Sequence, residues 1–168
     1  MLTWAENIAK QIIARRPDKE EYVCAAGISP SGSIHIGNFR DIATSFFVVQ
    51  ALRGLGKKAK LLFSWDEYDR MRKVPVNVAA VRDDMEQYVG RPYVDVPNPF
   101  GDALGAKTYA EYFEKEFMES VSAFGIDMDF RYQAQMYRSG KYTEHVLYAM
   151  EKRKEIYDVL SRHRTQEP

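Results

Sequence analysis

The pattern of hydrophobic and polar positions predicts a strand, a helix and a second strand in the N-terminal part of the chain. Residues 21–26 and 58–65 are short apolar runs, and the segment 36–53 between them is apolar on most of its sides. A strand, a helix and a strand of these lengths predict a βαβ unit with parallel strands and a right-handed crossover. Because residues 58–65 are almost continuously apolar, we expect a sheet that is covered on both faces.

Further helices are predicted on both sides of this unit. A capping box at Thr3 to Glu6 opens an amphipathic helix that ends near Arg16, where Pro17 follows. The positions of this helix that we expect to face inward are Trp4, Ile8, Ile12 and Ile13. A short helix is predicted at about 77–89, followed by a loop at 90–106 that is rich in Pro and Gly and long enough to be functional or mobile.

The C-terminal part is predicted to contain a helix, a strand and a last helix. A second capping box at 108–111 opens a helix that ends at Gly125. Its apolar stripe consists of Tyr109, Phe113, Phe117, Val121 and Phe124. Strict alternation of apolar and polar residues at 126–132 predicts a half-buried strand, and 141–163 reads as a helix rich in charge.

Composition restricts the class of protein without identifying it. The 168 residues are 45% hydrophobic and 29% charged, which is typical of one globular domain. Lys and Arg together number 24, as do Asp and Glu, so no overall positive charge attracts nucleic acid. With a single cysteine, Cys24, no secretory signal pattern and no membrane-spanning apolar run, we expect a cytoplasmic protein.

Two groups of polar residues follow the two predicted strands, at the sheet edge where open α/β folds bind ligands. The first strand leads into a Gly-, Ser- and Pro-rich loop and then into His35, Gly37 and Asn38 at the start of a helix. A helix N-terminus offers N–H groups and a positive dipole end to an anion. Gly37 allows a ring or phosphate to approach the backbone, and His35 and Asn38 can donate hydrogen bonds. The spacing differs from both a P-loop and G-x-G-x-x-G.

The second strand ends in a cluster of carboxylates, Asp66, Glu67 and Asp69, between Trp65 and Tyr68. Such a cluster either pairs with an ammonium group of a ligand or caps the next helix and bridges nearby arginines. The sequence leaves open which of the three carboxylates has a substrate role.

The two groups together resemble the class I lysyl-tRNA synthetases, the archaeal type that some bacteria also carry. The segments that carry the resemblance are Gly27-Ile28-Ser29-Pro30-Ser31-Gly32, His35-Ile36-Gly37-Asn38-Phe39-Arg40, Trp65-Asp66-Glu67-Tyr68-Asp69-Arg70 and Arg72-Lys73-Val74-Pro75. The second segment corresponds to the class I signature His-Ile-Gly-His, with Asn in place of the last His, as expected of this family. Ser29 stands where the family usually has Thr, and it keeps the hydroxyl.

The resemblance implies a Rossmann-like α/β nucleotide-binding fold, incomplete in this chain. Residues 1–168 would be the N-terminal portion of the catalytic domain: the first half of the fold plus part of the connective insertion, which begins at about residue 75. The implied activity is the ATP-dependent activation of lysine to lysyl-adenylate, with Mg²⁺, and transfer of the lysyl group to tRNA-Lys.

The resemblance also assigns roles to individual residues. The implied catalytic residues are His35 and Asn38. The implied ATP-binding residues are His35, Gly37, Asn38 and Ser31. The implied lysine-binding residues are Gly27, Ser29, Asp66 and Asp69. We assign no metal ligands in the protein, because the histidines His145 and His163 lack partners at suitable spacing.

Other interpretations stay open at the level of sequence. The Lys-Met-Ser-Lys-Ser loop and the anticodon-binding domain of the family are missing from these residues, so we expect a fragment or truncated form that does not aminoacylate alone. One alternative is a stand-alone nucleotidyltransferase resembling pantetheine-phosphate adenylyltransferase, which shares an H-x-G-H signature but leaves residues 65–75 unexplained. The other is a non-catalytic, synthetase-like binding module.

Overall fold

The helices and strands lie in two units of a computed structural model, which describes residues 3–164. The first unit extends to Gln133 and the second starts at Ala134. The first contains α1 (Trp4–Arg15), β1 (Tyr22–Ile28), α2 (Ile36–Gly54), β2 (Ala59–Trp65), α3 (Val76–Ala79), α4 (Tyr109–Ser122) and β3 (Asp129–Tyr132). Helix α5 (Gln133–Arg138) begins at the boundary, and the second unit continues with α6 (Thr143–Glu151) and α7 (Arg153–Arg162). No helix within residues 3–164 is long and apolar enough to cross a bilayer.

The sheet has three parallel strands in the order β1, β2, β3. Gly27 lies beside Ser64 at the end of the first pair, and Trp65 lies beside Tyr132 at the end of the second. This arrangement confirms the predicted α/β class and the predicted βαβ unit. Because the strands are parallel, their carboxyl ends meet at one edge of the sheet.

The main core lies on one face of this sheet, against α1, α2 and α4. Its strand residues alternate with exposed or half-buried ones, as the period of two in a strand requires. The buried members include Ala26, Ile28, Ile42, Val49, Leu52, Leu61, Phe63, Trp65, Phe117 and Val121. Phe117 of α4 stacks on Phe63 with ring centroids 5.6 Å apart and meets Trp65 edge-on at 5.4 Å.

The opposite face of the sheet is more open than the sequence predicts. Val23, Ala25 and Gly27 of β1 are exposed, and the outward residues of β2 are only half-buried. The expectation of a sheet covered on both faces is therefore wrong for β1. The outward residues of β1 are Val, Ala and Gly, so the sequence of the strand is apolar on both sides. Only residues of the other side, Tyr22, Ala26 and Ile28, are fully buried.

Helix α1 has the predicted boundaries, and two of the four residues predicted to face inward, Ile12 and Ile13, are half-buried against the main core. Its capping box is present: Thr3 Oγ1 accepts from the Glu6 amide at 3.3 Å, and Glu6 Oε2 accepts from the Thr3 amide at 2.7 Å. Trp4 and Ile8, predicted to face inward, are 52% and 40% exposed, whereas Ala5 and Ala9 are buried. Small alanines let α1 approach its neighbour closely, which moves the larger residues to the rim of the contact.

Helix α4 buries most of the stripe predicted for it. Tyr109, Phe113, Phe117 and Val121 are buried. The helix ends at Ser122, so Phe124 falls outside it and is exposed, with its ring packed on Phe39 at 4.7 Å. The predicted second capping box is only half formed. Thr108 Oγ1 accepts from the Glu111 amide, but the Glu111 carboxylate accepts from the backbone amide of Lys107 and not from that of Thr108.

Three further elements are shorter than predicted. The predicted helix at 77–89 is α3 followed by a separate 3₁₀ turn at Met85–Tyr88. The predicted strand at 126–132 is reduced to Asp129–Tyr132, because β3 pairs only with the last four residues of β2. The predicted helix at 141–163 is broken at Lys152 into α6 and α7.

The loop at 90–106 is packed rather than free, and it helps to form a second core. This second core consists of Met71, Val78, Met85, Tyr93, Val96, Tyr109, Ala110 and Phe113. The buried Asn98 closes the loop: its Nδ2 donates to the Ala106 carbonyl at 3.0 Å, and its Oδ1 accepts from the Phe100 amide at 3.0 Å. The buried side-chain amide of Asn98 thus orders the loop through hydrogen bonds to the loop's main chain.

We expect Phe117→Ala to destabilise the first unit much more than Phe124→Ala. Removing the buried ring leaves a cavity against Phe63 and Trp65 and should cost about 3–4 kcal/mol, while the exposed ring of Phe124 should cost less than about 1 kcal/mol. Urea denaturation followed by tryptophan fluorescence measures both changes, since Trp4 and Trp65 are in the first unit. Equal losses would contradict this assignment of the core.

Candidate functional site

The His35-Ile36-Gly37-Asn38 motif forms the start of helix α2, with His35 as the residue that caps it. His35 Nδ1 accepts a hydrogen bond from the Gly37 amide at 3.1 Å, and Asn38 Oδ1 accepts from the His35 amide at 3.4 Å. A ring nitrogen that accepts is unprotonated, so the remaining proton of a neutral His35 is on Nε2. The exposed ring therefore offers one donor, Nε2–H, to a ligand at the helix N-terminus.

Gly37 has a steric role that the sequence does not reveal. A Cβ at this position would lie 2.9 Å from His35 Cε1 and 3.0 Å from His35 Nδ1. Any side chain would therefore displace the imidazole from the helix end. The missing side chain therefore serves the orientation of His35.

A hydrogen bond between side chains joins the two candidate motifs. Ser29 Oγ, in the loop after β1, donates to Asp69 Oδ2 at 2.7 Å, across 40 positions of sequence. The Asp66 amide donates to the Ile28 carbonyl at 3.0 Å, so Asp66 also begins directly beside the end of β1. The predicted meeting of the two motifs at the carboxyl edge is confirmed.

The environment of Asp66 disfavours its charged form. Burial raises the pKa of this half-buried carboxyl, and the nearby Asp69 carboxylate raises it further. A cation placed beside the two carboxylates would oppose both effects. The pair therefore provides a local negative charge next to Ser29.

Gly27 packs tightly against the neighbouring strand. A Cβ on Gly27 would lie 2.9 Å from the Ser64 carbonyl oxygen and 3.3 Å from Ser64 Cβ. The residue is exposed on the open face of the sheet, at the end of β1. The absence of a side chain allows close strand pairing and leaves space above the strand end.

The acidic segment after β2 is held in place by the first residues of the 90–106 loop. The Tyr93 amide donates to the Asp69 carbonyl at 3.1 Å, and the Val94 amide donates to the Glu67 carbonyl at 3.3 Å. Met71 continues this antiparallel pairing by donating to the Arg91 carbonyl at 2.7 Å. These backbone bonds hold the main chain of the acidic segment against residues 91–94.

The structure separates the three carboxylates that sequence reasoning left equivalent. Glu67 is only 2% exposed and its Oε2 accepts from the Gln133 amide at 3.0 Å. The Gln133 side chain in turn donates to Ser64 Oγ at 2.5 Å. Glu67 thus connects the ends of β2 and β3, whereas Asp66 and Asp69 are beside Ser29.

Glu114 is a second buried acid that the sequence analysis did not single out. It is 6% exposed, and burial, with Glu67 and Glu111 nearby, raises its pKa to about 7. The helical spacing contained a signal for it, since Glu114 falls on the same face of α4 as the buried Ala110, Phe117 and Val121. A charged residue within an apolar stripe indicates a buried carboxyl.

These features define the class of protein. A parallel βαβ unit with both motifs at its carboxyl edge is part of a Rossmann-like α/β fold. The family described as class I tRNA synthetases (K) matches residues 2–168. The chain belongs to this family.

Individual relatives agree with this assignment. The lysine–tRNA ligase of Pyrococcus horikoshii is 42% identical over 164 residues, which are 98% of this chain and 30% of that protein. The lysine–tRNA ligase of Treponema pallidum is 39% identical over 166 residues, 99% of this chain and 31% of that protein. The chain therefore spans about 30% of the length of these relatives.

We expect Gly27→Ala to be destabilising and Gly32→Ala to be tolerated. The added methyl at Gly27 would meet the β2 backbone and should cost about 2 kcal/mol. At Gly32 the nearest atom is Pro75 Cγ at 3.5 Å, an ordinary contact. Urea midpoints of the two variants measure the difference, and similar midpoints would show that the ends of β1 and β2 pack less closely than described.

We expect Glu114→Gln to remove part of the pH dependence of stability. A carboxyl whose pKa is raised by folding stabilises the folded state below its unfolded pKa, and this contribution is lost as the pH rises through about 7. Relative to the Gln variant, the native chain should lose on the order of 2 kcal/mol of unfolding free energy between about pH 5 and pH 8.5.

The matched control for this change is Glu119→Gln, an exposed residue of the same helix. It should unfold like the native chain at both pH values. A Glu114→Gln variant that behaves like this control would contradict the burial of a neutral carboxyl at position 114.

Proposed function

We propose that this chain is the N-terminal portion of a cytoplasmic lysine–tRNA ligase, and that its site holds ATP and lysine for the formation of lysyl-adenylate. The observation that carries the proposal is the Ser29–Asp69 hydrogen bond, which joins the loop of the nucleotide motif to the acidic segment. The relatives named lysine–tRNA ligase support it, since they match almost the whole chain.

The chemistry proposed for the site is an in-line displacement at phosphorus. A lysine carboxylate oxygen forms a bond to the α-phosphorus of ATP, the bond from that phosphorus to the bridging oxygen breaks, and pyrophosphate leaves with the electron pair. Since no covalent intermediate with the protein is needed, the protein contributes positioning and charge stabilisation.

The nucleotide would be bound at the start of α2. His35 Nε2–H and the side-chain Nδ2 of Asn38 donate to phosphate oxygens, where negative charge develops in the transition state. Gly37 allows the adenine to approach the helix end, and Ser31 contributes from the loop before it. The capping contacts of His35 and Asn38 support this role because they hold both side chains at the helix terminus.

Lysine would lie over the end of β1. Gly27 leaves the space above the strand open, and Ser29 is the nearest hydroxyl in the loop that follows. Asp66 and Asp69 supply negative charge for an ammonium group of lysine, and the pKa of Asp66, raised by burial and then by the nearby Asp69 carboxylate, supports this role. Transfer of the lysyl group to the 3′ end of tRNA-Lys would follow.

Magnesium is placed with the ATP substrate in this proposal. Within residues 3–164, no group of three or more His, Cys, Asp or Glu side chains is arranged to hold a metal ion. In this proposal Mg²⁺ belongs to the substrate, and we assign the protein no step that requires a resident metal.

The remaining functions belong to parts of the enzyme outside this chain. We propose that the stretch from about residue 75 to 168, which contributes most of the second core, includes the connective insertion. The Lys-Met-Ser-Lys-Ser loop and the anticodon-binding domain would follow in the full-length protein. A pantetheine-type nucleotidyltransferase is not favoured, because the family match includes the whole 65–75 segment.

We expect this chain to bind a non-hydrolysable lysyl-adenylate analogue more tightly than the glutamyl analogue, because Asp66 and Asp69 attract an ammonium and repel a carboxylate. His35→Ala should weaken binding by about tenfold, since it removes a hydrogen bond to a charged phosphate. Isothermal titration calorimetry measures each affinity.

The matched control is His145→Ala, which changes an exposed histidine of α6 in the second unit. It should leave the affinity unchanged. Failure of the native chain to bind either analogue would contradict a site within these residues. Pyrophosphate exchange catalysed by this chain alone would contradict our expectation that activity needs the rest of the enzyme.

A further inference from the structure

The loop between β1 and α2 carries the proposed ATP-binding residue Ser31, yet it has no regular secondary structure. Its conformation depends on contacts made by a few residues. Ser29 is bonded to Asp69 on one side, and the Ser31 amide donates to the Ser29 carbonyl at 2.7 Å within the loop. A third contact comes from the second core.

The phenol of Tyr109 makes this third contact. Its hydroxyl donates to the Ser31 carbonyl at 2.8 Å, across 78 positions of sequence. Ser31 is exposed, whereas Tyr109 is fully buried. The bond therefore connects a fixed side chain of the interior to an exposed segment of the candidate site.

Tyr109 is held by its surroundings on several sides. Its ring stacks on Tyr93 at 5.4 Å with an interplanar angle of 24°, and it packs against Phe113 at 4.8 Å. Its amide donates to the Val96 carbonyl at 2.8 Å at the start of α4. A ring fixed in this way cannot follow the loop if the loop moves, so the hydroxyl sets the position of the Ser31 carbonyl.

Pro75 adds a second contact between the loop and the same region. A Cβ on Gly32 would lie 3.5 Å from Pro75 Cγ, so the proline ring is directly beside the loop backbone. Pro75 caps α3, whose Val78 belongs to the second core. The loop is therefore next to the second core at two consecutive residues, Ser31 and Gly32.

We propose that Tyr109 is a positioning residue for the adenylate site: its hydroxyl fixes the loop at Ser31, and so couples the order of the nucleotide-binding loop to the packing of the second core. The inference rests on the proposed function for the identity of the ligand, and on the structure alone for the coupling. Tyr109 has no direct contact with substrate in this proposal.

Tyr109→Phe tests the proposal because it keeps the ring and removes only the hydroxyl. Ser31 is an exposed residue and the ring of Tyr109 is kept, so the variant should remain folded. The matched control is Tyr112→Phe, the same change in the same helix at a half-buried ring that packs on Phe100 at 4.4 Å. Both variants should unfold at similar urea concentrations.

The first readout is amide hydrogen exchange of residues 29–34. We expect Tyr109→Phe to speed exchange in this loop by about fivefold, the factor that corresponds to one lost hydrogen bond, with unchanged exchange in β2 and in the second core. Tyr112→Phe should leave the loop unchanged. Loop exchange that is the same in both variants, or a loss of protection throughout α4, would overturn the proposal.

The second readout is the affinity for the lysyl-adenylate analogue, which we expect Tyr109→Phe to weaken by about fivefold and Tyr112→Phe to leave unchanged. Faster loop exchange with unaltered affinity would overturn the link to the adenylate site. If the native chain binds no analogue, the proposed function fails for these residues, and the exchange measurement still decides whether Tyr109 fixes the loop.

Discussion

The parallel pairing of β1 with β2 is the constraint on which the candidate site depends. It places Gly27 beside Ser64 and Ile28 beside Trp65, so the two strands end together. Residues that are far apart in sequence then start from the same edge, and a hydrogen bond of 2.7 Å between Ser29 and Asp69 becomes possible. Antiparallel pairing of the same strands would place the two motifs at opposite ends of the sheet.

The second core extends this arrangement beyond the sheet. Its segments pair with the backbone of Glu67 and Asp69, and its Tyr109 reaches the Ser31 carbonyl. Residues of the second core therefore help to hold the main chain of the candidate site in place. This explains why a loop rich in Pro and Gly is ordered: Asn98 satisfies its carbonyls, while Tyr93 and Val96 are buried.

The sequence predicted the elements whose signals are local. The capping box at Thr3, the βαβ unit and the stripe of α4 depend on spacing within one segment, and the structure contains each of them. The edge at which the two motifs meet was also predictable, because it follows from parallel pairing alone.

Features that depend on a partner surface were not predictable. Periodicity identifies an amphipathic helix, but whether Trp4 or Ala5 is buried depends on how closely the neighbouring helix approaches. The separate environment of Glu67 depends on the Val94 and Gln133 amides, which are distant in sequence. The contact of Tyr109 with Ser31 has no local signal, because it joins two segments whose proximity exists only in the folded chain.

The distribution of acids at the edge of the sheet gives the site its electrostatic character. Burial raises the pKa of Asp66, and Asp69 raises it further; Glu114 reaches about 7, chiefly by burial, with Glu67 as the larger of two nearby charges. Asp66 and Glu114 are therefore less stable in their charged states than the same residues in water, and a cation close to either would favour its ionised form. Asp66 and Asp69 are close to the end of β1, near the proposed lysine position, whereas Glu67 Oε2 accepts from the Gln133 amide. A cationic amino acid bound there, as proposed, would stabilise the ionised form of Asp66.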